Sequence, residues 1–465
     1  MLFAMGVGSR ISKYIKTPLF DVFIGVELAL SLLCGISAIS SYFLSAYTQY
    51  VGLYIYAVSF AIGILIGLEI PIATRLNESY QELRLNISSV MEHDYYGALL
   101  GGVLFAFVAL PYLGLTYTPI VLGAINLAVA TIFFIQFRGL TKNRKLISGG
   151  FLVVPALLAL LAFLAEPVVL FSEQQNYRDK VVFQQQTPYQ RIVLTRWKDH
   201  HWLYINGNEQ FSSFDEERYH EPLVHPAMYA AASTKHILIL GGGDGLAVRE
   251  ILKHDGVEKI TLVDLDPAMT TLGKENPLFV QLNKNSMNDG RVHIENKDAH
   301  VFLRETNEMF DVIIIDLPDP NSVDLARLYT RQFYTLAGKH LSSGGAMVTQ
   351  ATSPFFSRKA FLSILKTMRS SGLPAAAYHN HIPTLGEWGW VLGIKAPATR
   401  SDSSLSQALS KITVKHPMRF LNDGTLNAMF QFGNETMRDF DQLNINDELD
   451  LSTYHYYRNG EWDFY

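Results

Sequence analysis

A glycine run carrying one acidic residue, Gly241-Gly242-Gly243-Asp244-Gly245, follows a short apolar strand pattern at 237–240 and opens a helical pattern. Glycines there let the backbone wrap close to a ligand without side-chain clash. Asp264 ends the next strand pattern, where a carboxylate can accept both hydroxyls of a ribose. The pair points to nucleoside binding. Asp298, after the strand that follows, is placed for an adenine amino group; a helix cap in Lys297-Asp298-Ala299-His300 is the competing reading. Asp316 and Asp319 lie just beyond the carboxyl end of the buried run 312–315, the edge where open α/β sheets bind ligands. A plain Asp-Pro turn is the alternative there. Upstream, Gln210 to Glu216 and Tyr219-His220-Glu221 group carboxylates with aromatics, a composition that suits a small dication.

Asp244 discriminates between donors. S-adenosylmethionine carries a carboxylate on its amino-acid tail, which an acidic side chain in the glycine loop repels. A decarboxylated tail has only the ammonium, so Asp244 favours that donor by rejection as well as by attraction.

The elements that must hold these residues change character along the chain. Alternation at 191–196 and 202–205, with a turn at Asn206-Gly207, predicts half-buried antiparallel strands. From 236 the order becomes strand, glycine turn, helix, strand, with further short strands at 292–295, 312–315 and 346–349. The expected fold is an α-helical membrane bundle plus an α/β half. In the latter, a small antiparallel β domain precedes a Rossmann-like, methyltransferase-type sheet. The expected boundaries are 1–172 for the membrane helices, 173–235 for the β domain, 236–395 for the Rossmann-like domain, and 396–465 for a C-terminal extension packing on it.

Residues 19–44, 51–73, 97–113, 119–137 and 147–171 are apolar runs of about the length needed to cross a hydrocarbon layer of roughly 30 Å. Residues 1–9 are apolar but too short to span. They lack the features of a signal peptide and read as the tail of a helix that begins outside this sequence. Gly63 with Gly67, and Gly97 with Gly101, have the spacing that lets helix backbones approach in lipid. Glu27 and Glu69 lie within apolar runs and should face the bundle interior, where transport or sensing is a possible role. Arg10, Lys13 and Lys16, then Arg75 and Arg84, then Arg138, Lys142, Arg144 and Lys145 fall in alternate loops, which the positive-inside rule puts in the cytoplasm. A single crossing by 147–171 then leaves the α/β half outside, whereas an intracellular nucleoside donor requires it inside. Pro155 and Pro167 would reconcile the two by making the last run re-entrant or surface-lying, and a cytoplasmic catalytic half is the expectation adopted.

A net charge of -5 and the lack of a basic stripe argue against a nucleic-acid partner. The single cysteine, Cys34, can form no intrachain disulfide and supplies no metal cluster. No metal site is expected.

Seven blocks in order, over roughly residues 180–395, are similar to the polyamine aminopropyltransferases, the spermidine synthase family. They are Thr187-Pro-Tyr-Gln190; Ile205-Asn-Gly with Gln210-Phe-Ser; Asp215-Glu with Tyr219-His-Glu; the glycine run; Val263-Asp-Leu-Asp-Pro; Asp316-x-x-Asp-Pro; and Ile382-Pro-Thr before Trp388. The membrane half, the run 328–334 and the tail around 456–462 resemble the bacterial branch with an N-terminal multi-pass domain in the inner membrane. The resemblance implies that Gln190 and Asp264 hold the nucleoside, with Asp298 and the Ala299 backbone on the adenine. Asp244 would hold the aminopropyl ammonium or the polyamine. Gln210, Tyr219, His220 and Asp319 would line the amine channel, and Asp316 would accept the proton. It also implies decarboxylated S-adenosylmethionine as co-substrate, putrescine or a related amine as acceptor, no permanently bound cofactor, and a homodimer. The chain departs from the family at Asn206, at Leu317-Pro318 and over 321–325, the last of which should reshape the adenine wall or the amine pocket. A methyltransferase on the same fold, and a membrane transporter or sensor with a non-catalytic domain, are the competing readings.

Overall fold

The computed structural model describes residues 1–16, 18–78, 82–395 and 402–462. They form two compact units, Met1–Val181 and Val182–Tyr465. The boundary expected at 396 falls outside the described residues.

Among the described residues, four helical stretches in the first unit are long and apolar enough to cross a membrane: Leu19–Ser45, Val51–Asn77, Leu83–Phe137 and Arg144–Asn176. The third takes up two of the expected runs, 97–113 and 119–137. Between them Gly114, at φ 65° and ψ -173°, leaves helical geometry and kinks the chain. Pro155 and Pro167 lie inside Arg144–Asn176, which continues through both. Of the two courses expected there, re-entrant or surface-lying, the continuous helix makes no re-entrant turn, since an apolar helix keeps its remaining backbone bonds rather than break. A Cβ on Gly67 would lie 2.1 Å from the Met5 carbonyl oxygen, so the Leu2–Ser12 helix rests directly on Val51–Asn77. Gly97 and Gly101 have nothing within 4 Å and form no such seam in this unit. Glu27, 5% exposed, faces the interior and is hydrogen-bonded to Glu69.

From Lys180 onward the chain forms two sheets. The smaller, in the order β1-β2-β3-β4, consists of β1 (Lys180–Gln186), β2 (Arg191–Trp197), β3 (His200–Ile205) and β4 (Asn208–Ser212). Asn206-Gly207 forms the β3–β4 turn with positive φ at both residues, and β2–β3–β4 are antiparallel.

The larger sheet contains β5 (His236–Gly241), β6 (Lys259–Asp264), β7 (Val292–Asn296), β8 (Phe310–Asp316), β9 (Leu341–Gln350), β10 (Ala375–Ile382) and β11 (Gly386–Ile394). Its order is β10-β11-β9-β8-β5-β6-β7. The strands β5 to β9 run parallel, and the β10–β11 hairpin closes one edge antiparallel. Alternation along β5 divides the core: Ile237 and Ile239 pack with Leu223, Val224 and Val248 on one face, Leu238 and Leu240 with Phe302, Phe333 and Phe361 on the other. Burial on both faces explains the continuous apolar runs. Strand order reverses at β5, whose neighbours are β6 and β8, so a crevice opens at their carboxyl ends.

Candidate functional site

β5 and β8 end side by side, with Gly241 paired to Asp316. A Cβ on Gly241, at φ 88°, would meet the Asp316 carbonyl oxygen at 2.0 Å. Only glycine lets the loop pass this close to the acidic end of β8. The crevice holds a cavity of about 390 Å³. Its walls include Gln190, Gln210, Tyr219, His220, Gly241, Gly243, Asp244, Asp264, Asp298, Ala299, Asp316 and Asp319. Every site residue expected from the sequence therefore borders one space.

Asp264 ends β6 with its carboxylate oriented by two backbone donors, Gly243 N–H at 3.1 Å and Asp266 N–H at 2.9 Å. Its burial pushes the carboxyl up to about 6. Asp244, 9% exposed, accepts from the Leu246 N–H at 2.8 Å, and burial raises it too. Asp298 Oδ1 accepts from the Val301 N–H at 2.9 Å and caps the Ala299–Glu305 helix. It is thus a cap as well as part of the wall.

Tyr219, on the buried Glu217–Ala230 helix, donates its hydroxyl to Asp316 Oδ1 at 2.7 Å. Burial raises the Asp316 carboxyl to about 6; the nearby His220 charge opposes this, Asp244 adds to it, and the Tyr219 hydrogen bond opposes it. His220, 2% exposed, shares its Nδ1 with Glu216 at 3.0 Å. Burial works against charge on this imidazole, yet the hydrogen bond and charge of Glu216, then Asp244 and Asp316, raise it to about 9. At neutral pH the site holds an imidazolium among carboxylates. A cation can join such a set, whereas a further anion is repelled.

The acidic cluster read at 210–221 divides by role. Asp215 accepts from the Thr384 N–H and hydroxyl, and Glu221 accepts from the N–H groups of Arg419, Phe420 and Leu421. Glu216 pairs with Arg249 through both oxygens, at 2.6 and 2.9 Å. These carboxylates anchor the scaffold, leaving Gln210, Tyr219 and His220 to face the cavity. The segment at 321–325, where the chain departs from the family, forms a short helix, Val323–Ala326, capped by Ser322, and Asn321, Asp324 and Leu325 line the space.

Sequence reasoning did not single out Gln350 or Thr352, both of which hydrogen-bond Asp319. Nor did it find Arg249, which joins Glu216 to Glu250 beneath the site. An adjacent Arg249-Glu250 pair inside an otherwise apolar helix at 246–251 was the available signal.

Residues 216–404 match the spermine/spermidine synthase domain family. A polyamine aminopropyltransferase of Leptospira interrogans is 37% identical over 99% of this chain and 90% of its own length. Polyamine aminopropyltransferase 2 of Aquifex aeolicus is 42% identical, covering 91% of this chain and 85% of that one. A solved spermidine synthase in complex with the transition-state analogue AdoDATO matches with a TM-score of 0.50 and 26% identity, over 57% of this chain and 89% of that one.

Proposed function

This chain belongs to the polyamine aminopropyltransferase family, and from that premise we propose that it transfers an aminopropyl group from decarboxylated S-adenosylmethionine to putrescine, giving spermidine and methylthioadenosine. The observation that carries the proposal is the meeting of Asp316, held by Tyr219, with Asp244 in the glycine loop of one cavity. The related synthase was solved with a transition-state analogue, which supports a nucleoside donor.

The donor's sulfonium already makes the adjoining carbon electrophilic, so no covalent enzyme intermediate is required. The amine lone pair forms the new C–N bond as the C–S bond breaks, and that electron pair returns to sulfur as a neutral thioether. The obstacle is the nucleophile. A primary amine with a pKa of about 10.4 is almost wholly protonated at neutral pH. Asp316 takes the proton, while Tyr219 fixes the carboxylate and Asp319 holds the far ammonium, aligning the attack. Asp264 and Gln190 hold the ribose side of the donor, and Asp298 with the Ala299 backbone its base. Because the donor is made inside cells, the proposal requires the catalytic unit on the cytoplasmic side of the membrane, which leaves a surface-lying course as the way for Arg144–Asn176 to agree with the basic loops.

Full-length protein given decarboxylated S-adenosylmethionine and putrescine should form spermidine and methylthioadenosine in equal amounts. Cadaverine and spermidine run beside putrescine rank the acceptors. Product formed only from ordinary S-adenosylmethionine would overturn the proposal.

The raised Asp316 carboxyl sets the pH dependence. The base must be ionised, so kcat/KM for the amine falls as pH drops through about 6. That apparent value belongs to Asp316 and Asp244 together. A pH profile whose acid limb lies near the ordinary aspartate value of about 3.9 contradicts the role.

A further inference from the structure

His220 lies in the first turn of the Glu217–Ala230 helix, one turn beyond Glu216, so the two side chains share a face. Its Nδ1 sits between two groups that can only accept, the Glu216 carbonyl oxygen at 2.9 Å and Glu216 Oε2 at 3.0 Å. Nδ1 therefore carries a proton, and the tautomer of the ring is settled by its neighbour. Nε2 has no hydrogen-bond partner among the described residues, although His220 is buried and borders the cavity. A buried nitrogen without a protein partner is left to what the cavity binds.

Glu216 is itself held. Arg249 Nη1 donates to Oε1 at 2.6 Å and Nη2 to Oε2 at 2.9 Å, so the oxygen that faces His220 has a fixed position. Arg249 comes from the short Leu246–Ile251 helix that the glycine loop opens. The pair thus ties the loop carrying Asp244 to the helix carrying Tyr219 and His220. Behind it, Glu250 Oε1 accepts from Arg249 Nε at 2.8 Å, and Glu250 Oε2 pairs with His225 Nε2 at 2.9 Å. Glu216, Arg249, Glu250 and His225 do not border the cavity, and Glu216 acts on it through His220.

We infer that Glu216, locked by Arg249, is a positioning residue for aminopropyl transfer: it holds the His220 ring with Nδ1 turned to the scaffold and Nε2 left for the amine site. This rests on the reading given above, in which Asp316 takes the proton of the amine. The carboxylate also supplies the charge that balances an imidazolium, so without it the ring reverts to neutral imidazole. The charged groups facing His220 are Glu216, Asp244 from the glycine loop and Asp316 from the end of β8. The His220 ring lies against that of Tyr219, with centroids 5.0 Å apart, and the Tyr219 hydroxyl is 2.7 Å from Asp316. An imidazolium in that place keeps Asp316 ionised to a lower pH than burial alone would allow.

The test is the acid limb of kcat/KM for putrescine in the full-length enzyme, a pH that does not depend on the fraction of enzyme folded. In Glu216→Gln the ring loses its counter-charge, and the limb should move up from about 6 by about one unit, the low end for a neighbouring charge. His220→Gln should move it by the same amount, and the double variant no further than His220→Gln alone. Where Glu216→Gln leaves too little folded enzyme to assay, Arg249→Met with Glu216→Gln removes both charges of the pair and carries the same expectation. A limb that moves in His220→Gln but stays in Glu216→Gln overturns the inference and leaves the reading of Asp316 intact, and so does a limb that moves in neither. If the wild-type profile has no acid limb near 6, the reading of Asp316 fails and the inference fails with it.

Discussion

Replacing Asp316 with asparagine should cut single-turnover aminopropyl transfer by at least about 100-fold, the lower end of general-base contributions, while donor binding stays near wild type. The substitution is nearly isosteric. An amide oxygen can still accept the Tyr219 hydroxyl that now reaches Oδ1 at 2.7 Å, so the loop at the end of β8 has no reason to move. What disappears is a proton acceptor. The amine then arrives as an ammonium without a lone pair, and the positioning supplied by Tyr219 and Asp319 has nothing to align. Two measurements separate this from simple misfolding: equilibrium binding of the donor, and the acid limb near pH 6, which the variant should lack. Near-normal turnover in Asp316→Asn would remove Asp316 from the mechanism.

Much of the site could be read from the sequence because local rules carried it. Gly241 to Gly245 needed only a preceding strand to announce a ligand loop, and Asp264 and Asp316 were placed by ending strands whose apolar runs marked them as central. The long apolar helices of the first unit were also plain from composition, but their interruptions were not. Gly114 kinks its helix, while Pro155 and Pro167 do not break theirs; only surrounding packing decides which potential breaker acts. The partners of Asp319 were hidden for another reason. Gln350 and Thr352 meet it through sheet order, which no periodicity in one segment encodes. The runs at 328–334 and 456–462 stood out as branch-specific, yet only the structure shows Tyr329 donating to the Leu317 and Pro318 carbonyls. Residues that support the site were less visible than residues that line it.

Arg249 makes that distinction testable, and Arg249→Met should have the largest effect on stability. Arg249 is 7% exposed, Glu216 3% and Glu250 0%. The guanidinium bonds both Glu216 oxygens, one Glu250 oxygen at 2.8 Å and the Leu282 carbonyl at 2.8 Å. Methionine fills similar volume but leaves two buried carboxylates short of a cation, an arrangement that costs about 3–5 kcal/mol. At ~2–4 °C per kcal/mol for a unit of this size, the midpoint should fall by roughly 10 °C. All five tryptophans lie between residues 197 and 462, so intrinsic tryptophan fluorescence follows the second unit within the whole chain. A midpoint within about 2 °C of wild type, below the shift expected for 1 kcal/mol, would show the network to be energetically idle. Adding Glu216→Gln should recover part of the loss, because the stranded charge, more than the missing bonds, sets the cost. Glu216 also holds His220 in the cavity wall, so the double variant should regain stability without regaining the imidazolium's place beside Asp244 and Asp316.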